Sequence, residues 1–171
     1  GLPFVAYAAV PATVGLRLNP DGSLTVLGFR GEGGVQTETT YSMIIADEVG
    51  IPYDAVELQR SDYAGFPLVL MGGSRGTVLN SVVLVKAARK LKQTILSYAA
   101  ELPEFEGRSP EELGIVDGFV YEKTKPENRV PVSKIAELHY IFMQADQAEV
   151  ERELPKEKHS MVRQAFFVEV E

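Results

Sequence analysis

Two segments of this chain repeat one plan, a short apolar strand followed by a glycine-rich loop and a helix. They are LTVLGFRGEGGVQTETTYSMII, residues 24–45, and VELQRSDYAGFPLVLMGGSRGTVLNSVV, residues 56–83. A glycine-rich turn at a helix N-terminus brings unpaired amide N–H groups and the positive end of the helix dipole to one place, which suits a phosphate or another anion. One such loop is as readily a plain connector, but two at matching positions could converge on one ligand. Neither is a Walker A loop, since no Gly-Lys-Ser/Thr follows, and neither is a G-x-G-x-x-G fingerprint. Ordinary nucleotide triphosphate or NAD chemistry is therefore not indicated.

The remaining chain fits the same α+β plan. ATVGLRLNPDGSLTVLGF alternates Val14, Leu16 and Leu18 with Leu24 and Val26 across the turn formers Pro20, Asp21 and Gly22, which reads as a hairpin. Helical spacing of Tyr41, Ile44, Ile45 and Val49, stopped by Gly50 and Pro52, predicts a helix near 38–49. Leu84, Ala88, Leu91, Ile95 and Ala99 make the buried stripe of a long helix near 76–101. Its cations Lys86, Arg89, Lys90 and Lys92 read as a solvated face. Beyond it, LPEFEGRSPEELG reads as loop, VDGFVYEKT as one strand and RVPVSKIAELHYI as a strand edge with a short helix. QADQAEVERELPKEKHS reads as a polar excursion and AFFVEV as a terminal strand in a mixed sheet. The apolar ends, Pro3 to Val10 and Phe166 to Val170, suggest a partner chain or self-association.

With 171 residues and 45% hydrophobic content, one respectable core and one domain over residues 1–171 are expected. A net charge of −7 argues against nucleic acid or an anionic membrane as partner. No run of about 18 apolar residues occurs, and the opening GLPFVAYAAVPATVGL lacks a basic n-region and is broken by Pro11. A cytoplasmic location is expected. The absence of cysteine excludes thiolate zinc sites and iron–sulfur clusters within the sequence.

Catalytic constellations are thin. His139 and His159 lie one in an apolar helical stretch and one in a charged loop, without metal-ligand spacing. Ser74 sits in G-G-S-R-G rather than G-x-S-x-G, so it is no nucleophile elbow. Asp47 and Glu48 read as solvated at a helix end, and Glu32, beside Gly31 and Gly33, as structural. No catalytic residue and no protein metal ligand is assigned.

GEGGVQTETTYSMIIADEVGIPYDAVELQRSD and GGSRGTVLNSVVLVKAARKLKQTILSYAAEL strongly resemble the molybdenum-cofactor-binding subunit of the xanthine dehydrogenase and aldehyde oxidase family. The likeness runs on through VDGFVYEKTK and VPVSKIAEL to FFVEVE. In that family a G-Q-G-x-x-T loop precedes a helix ending in A-[AD]-E-L-G-[IV]-P, and a G-G-S-R-x-[TQ] segment precedes the long helix. The ADEVGIP and GGSRGT segments are the specific part. Alignment on ADEVGIP places Gly34 at the first glycine and Thr39 at the threonine, but Val35 at the glutamine position and Gln36 at the second glycine. Either Gln36 contacts the pterin from a shifted loop, or the chain relies on backbone amides there.

The resemblance implies a cofactor site made of Gly34, Val35, Gln36, Thr37 and Thr39 with Gly72, Gly73, Ser74, Arg75, Gly76 and Thr77, the last capping the long helix. It implies molybdopterin, in its cytosine dinucleotide form, with molybdenum held by the pterin dithiolene. The implied reaction is hydroxylation of an aldehyde or N-heteroaromatic carbon with oxygen from water. The family's active-site glutamate lies in a G-x-G-E-x-P segment that does not occur in this sequence. The chain is thus expected to be one piece of a larger subunit, inactive alone, with iron–sulfur clusters and FAD on partner chains. The competing reading is a stand-alone α+β module that binds a phosphorylated ligand without redox chemistry.

Overall fold

A computed structural model describes residues 13–29, 34, 36–60 and 75–146; for Phe29, Arg60 and residues 75–79 it describes backbone only. The first hairpin pairs β1 (Thr13–Leu18) with β2 (Leu24–Phe29), Leu18 opposite Leu24 and Leu16 opposite Val26. Its turn closes where the sequence places the turn formers: Gly22 N–H donates to Asn19 O at 2.9 Å, and Asp21 Oδ1 accepts from the Ser23 amide at 2.9 Å and its hydroxyl at 2.6 Å. The alternating apolar set is fully used, since Val14, Leu16, Leu18, Leu24 and Val26 are all buried.

From β2 the chain enters α1 (Thr37–Val49) and returns as β3 (Val56–Arg60), parallel to β2. Helix α2 (Arg75–Ala100) follows. Its predicted stripe is the centre of the core: Leu84, Ala88, Leu91, Ile95 and Ala99 have no exposed surface. A second, antiparallel sheet is built from β4 (Leu113–Val116), β5 (Phe119–Glu122) and β6 (Lys125–Pro131). A short helix α3 (Val132–Leu138) leads to β7 (Ile141–Asp146), which pairs antiparallel with β1 and completes the first sheet in the order β3-β2-β1-β7. The fold is α+β with a mixed sheet, as expected.

Three stretches differ from the sequence reading. VDGFVYEKT is not one strand, because Asp117 and Gly118 both have positive φ, 49° and 76°, and turn β4 back into β5. That conformation is the two-residue turn whose twist matches paired strands. Within LPEFEGRSPEELG, short 3-10 turns at Pro103–Phe105 and Pro110–Glu112 precede β4, which already begins at Leu113. The start of the expected polar excursion, Gln144 to Asp146, belongs to β7, whose Ile141 and Ala145 are buried while Gln144 faces out. The AFFVEV strand and both apolar chain ends lie outside the described residues.

Gly50 joins the two sheets through α1. Its φ of 95° ends the helix in the left-handed cap, with Gly50 and Ile51 amides both donating to Ala46 O. Its carbonyl accepts from the Gly118 amide at 3.0 Å, so the β4–β5 turn docks on the C-terminal end of α1.

Candidate functional site

The direction of the two helices decides whether the glycine loops can meet. Tyr41 of α1 accepts a hydrogen bond at Oη from Asn80 Nδ2 of α2 at 2.7 Å, in the interior. Seven residues on, Glu48 is gripped by Arg89, whose Nε and Nη2 donate to its two carboxylate oxygens at 3.0 and 3.1 Å. Lys92 Nζ donates to the Glu48 carbonyl at 3.0 Å. Contacts advancing in the same sense along both chains mean that α1 and α2 run parallel. Thr37 and Arg75, the first helical residues, lie about 6 and 7.5 Å back from Tyr41 and Asn80 at 1.5 Å per residue. The two N-termini therefore stand side by side, at the same level, past the ends of β2 and β3.

Parallel strands followed by helices put loops of this kind at the carboxyl ends of the strands, where α/β proteins bind ligands. Strand β2 breaks register there, with a bulge between Val26 and Phe29 and Gly28 at a φ of 91°. Each helix N-terminus carries roughly half a positive charge. At the far end Arg89 and Lys92 complement the C-terminus of α1. At the near end α1 has Glu38 in its first turn, but α2 has no acidic residue in its own and begins with Arg75. Two adjacent positive helix ends favour an anion between them.

Among the predicted site residues, Gly34 has a φ of 82°, and an added Cβ would meet nothing within 4 Å among the described residues. Gln36 stands at the N-cap of α1 in the left-handed region, φ 54° and ψ 40°, and makes no side-chain cap bond. Its carbonyl accepts from the Thr40 amide at 3.1 Å and the Thr40 hydroxyl at 3.0 Å. Thr37 is buried and Thr39 exposed. Arg75, Gly76 and Thr77 are the first three residues of α2. Thr77 is thus inside the first turn and is not the cap expected of it, because α2 starts two residues earlier. Val35, Gly72, Gly73 and Ser74, like Glu32 and His159, lie outside the described residues.

The other expectations are mixed. Asp47 is exposed, whereas Glu48 is held by Arg89 and Lys92, so those cations of α2 are more than a solvated face. Lys90 Nζ likewise donates to the Gln144 carbonyl of β7 at 3.1 Å. His139 follows α3 rather than lying within it and stacks on Tyr98 with ring centroids 3.9 Å apart. Sequence reasoning missed Tyr41 and Asn80 as a pair. The available signal was an asparagine in the apolar helical run TVLNSVVLV, where its helix propensity is poor. Burial pushes the Tyr41 phenol above its ordinary value, against the smaller opposing effect of the Asn80 bond, so it stays neutral. No group of three or more His, Cys, Asp or Glu among the described residues could hold a metal ion.

The sequence matches the family described as "Molybdopterin cofactor-binding domain" over residues 2–171. The chain belongs to this family. The likeness carried by ADEVGIP and GGSRGT is borne out. This molybdopterin-binding domain is 25% identical over 129 residues to the nicotine 6-hydroxylase large subunit of Paenarthrobacter nicotinovorans, covering 72% of the chain and 15% of that protein. It is 32% identical over 90 residues to the carbon monoxide dehydrogenase large chain of Hydrogenophaga pseudoflava, covering 52% of the chain and 11% of the relative. Among solved structures, quinoline 2-oxidoreductase from Pseudomonas putida 86 shares the fold, with a TM-score of 0.68 at 21% identity over 78% of this chain and 18% of that one. The Cu,Mo-CO dehydrogenase matches with a TM-score of 0.63 at 26% identity, covering 78% of this chain and 18% of that one. The domain thus spans less than a fifth of the length of each of these proteins.

Proposed function

We propose that residues 1–171 form one folding unit of a larger subunit and hold the molybdopterin cofactor of a cytoplasmic molybdenum hydroxylase at the paired N-termini of α1 and α2. The observation that carries this reading is the parallel packing of the two helices, which sets both glycine-loop ends at one level with their positive ends together. The residues fit an anionic, hydrogen-bonding cofactor. Among the described residues nothing fills the space where a side chain on Gly34 would stand, and a buried acceptor on Asn80 lies about one and a half turns behind the start of α2.

When bound, the cofactor supplies two-electron hydroxylation of an aldehyde or N-heteroaromatic carbon with oxygen taken from water. The chain's own part is to bind and orient. Amides of the first turns and of Gly34 and Gln36 donate to phosphate and pterin oxygens, and Arg75, with Gly72, Gly73, Ser74 and Gly76, completes the second side. Of the two ways to accommodate Gln36, its left-handed backbone supports reliance on amides. A glycine suits that position because φ is positive, so Gln36 keeps the loop conformation that a glycine would adopt, at some strain. The catalytic glutamate, the iron–sulfur clusters and the flavin belong to the remainder of the subunit and its partner chains, and the cofactor is the cytosine dinucleotide form.

The test is metal and pterin analysis of the natively purified complex. Near-stoichiometric molybdenum, a fluorescent pterin after oxidation, released CMP and co-purifying iron and flavin are expected. Background molybdenum without pterin would instead favour a stand-alone module for a phosphorylated ligand.

A further inference from the structure

Asn80 Oδ1 is a buried side-chain oxygen with no hydrogen-bond partner among the described residues. The residue is 6% exposed, and its Nδ2 is already committed to Tyr41 Oη. Val83 and Leu84 follow it on α2 and Ile45 follows Tyr41 on α1, all buried, while the buried polar residues Thr37 and Ser42 flank Tyr41 and neither supplies a hydrogen bond to Asn80 Oδ1. A leucine at this place would satisfy folding better than a buried amide whose acceptor finds no partner among the described residues. Such an atom in a native fold calls for a partner that arrives from outside the described residues.

Position and polarity say what that partner is. The amide stands about 7.5 Å, one and a half helical turns, behind the start of α2, where its bond to Tyr41 joins the two helices. The N-terminal amides can only donate and so take the anionic part of a ligand. An unpartnered carbonyl oxygen can only accept, and so takes a donor, which a phosphate does not offer. The two features together select a ligand that carries both an anionic group and an N–H-bearing heterocycle, rather than a bare phosphate.

We propose that Asn80 is a cofactor-binding residue: with its Nδ2 on Tyr41, its Oδ1 accepts a hydrogen bond from an N–H of the cofactor's heterocycle. This rests on the molybdopterin reading above. The test uses the assembled complex and two measurements, pterin content per chain and the melting temperature of complex made in a pterin-deficient host. The variant is Tyr41→Phe/Asn80→Leu, which removes both polar partners together and fills the space with apolar groups. Expected are an unchanged or raised melting temperature of the cofactor-free complex and a pterin content at least tenfold below wild type. Wild-type pterin content in the variant would overturn the inference. So would a fall in melting temperature that accounts for the pterin loss, since that would make the pair a plain structural pin. Should the double variant not assemble, Asn80→Asp, which keeps an acceptor of the same shape, retains pterin where Asn80→Ala loses it; equal contents in the two would overturn the proposal. A wild-type complex without pterin would fail the molybdopterin reading itself, and this inference with it.

Discussion

Replacing Gly50 with alanine should damage the fold while leaving the cofactor end intact. An added Cβ would stand 2.2 Å from Ile115 O and 2.8 Å from Ile115 C, both backbone atoms of β4, so no side-chain rotation relieves the clash. The residue also holds a φ of 95°, which costs a residue with a Cβ about 1–2 kcal/mol. Pushing β4 away adds about 1–3 kcal/mol, as overpacking does. Alanine's smaller freedom in the unfolded chain offsets about 0.4–1 kcal/mol. The net loss is about 1–4.5 kcal/mol, a large part of the roughly 5–15 kcal/mol that holds a domain together. With a urea slope of about 2 kcal/mol/M, the unfolding midpoint should fall by about 0.5–2 M at unchanged slope. Gly50 lies about 20 Å along α1 from Thr37, so molybdenum content per folded chain should stay near wild type. A midpoint shift below about 0.3 M would refute the packing argument.

Gln36→Gly relieves a left-handed backbone and should stabilise the chain by about 0.5–1 kcal/mol in the same urea titration, after allowing for glycine's greater unfolded freedom; destabilisation would show that its side-chain contacts outweigh the strain. Glu122 is 4% exposed, and hydrogen bonds from Thr124 and Asn128, with Arg108 beside it, hold its carboxyl below the ordinary glutamate value of 4.5. A depressed folded value means stability that is present above 4.5 and lost as pH falls through it, so Glu122→Gln should flatten acid unfolding monitored by circular dichroism below that pH. An acid limb identical to wild type would exclude the role. Arg89→Ala should cost no more than about 1 kcal/mol, because the Arg89 side chain is 65% exposed and water screens its bond to Glu48. A larger loss in thermal unfolding would mean that the pin also sets the helix pairing.

Where one periodicity and one turn carried the information, the sequence was readable. The α2 stripe and the Asn19–Ser23 turn are local patterns, and they appear in the fold as expected. The Asp117-Gly118 turn was equally local, yet VDGFVYEKT is apolar enough on both sides to read as continuous. Strand β7 was harder, since Gln144 and Asp146 alternate with buried residues and merge with the polar run that follows. The site was half legible. Glycine loops before helices were visible, but that the helices are parallel depends on Tyr41 meeting Asn80 and Glu48 meeting Arg89, pairs 39 and 41 residues apart. No local pattern encodes such contacts. Gln36 shows the reverse case: its departure from a glycine pattern is plain in the sequence, while the positive φ that explains the glycine needs the backbone.

The central claim is that one cofactor bridges the N-termini of α1 and α2, and an experimental structure of the loaded, assembled complex tests it most directly. The account predicts cofactor density with an anionic group against the first-turn amides of both helices and a heterocycle N–H within hydrogen-bond distance of Asn80 Oδ1. Cofactor density elsewhere, with the two helix ends facing only solvent or protein, would contradict it.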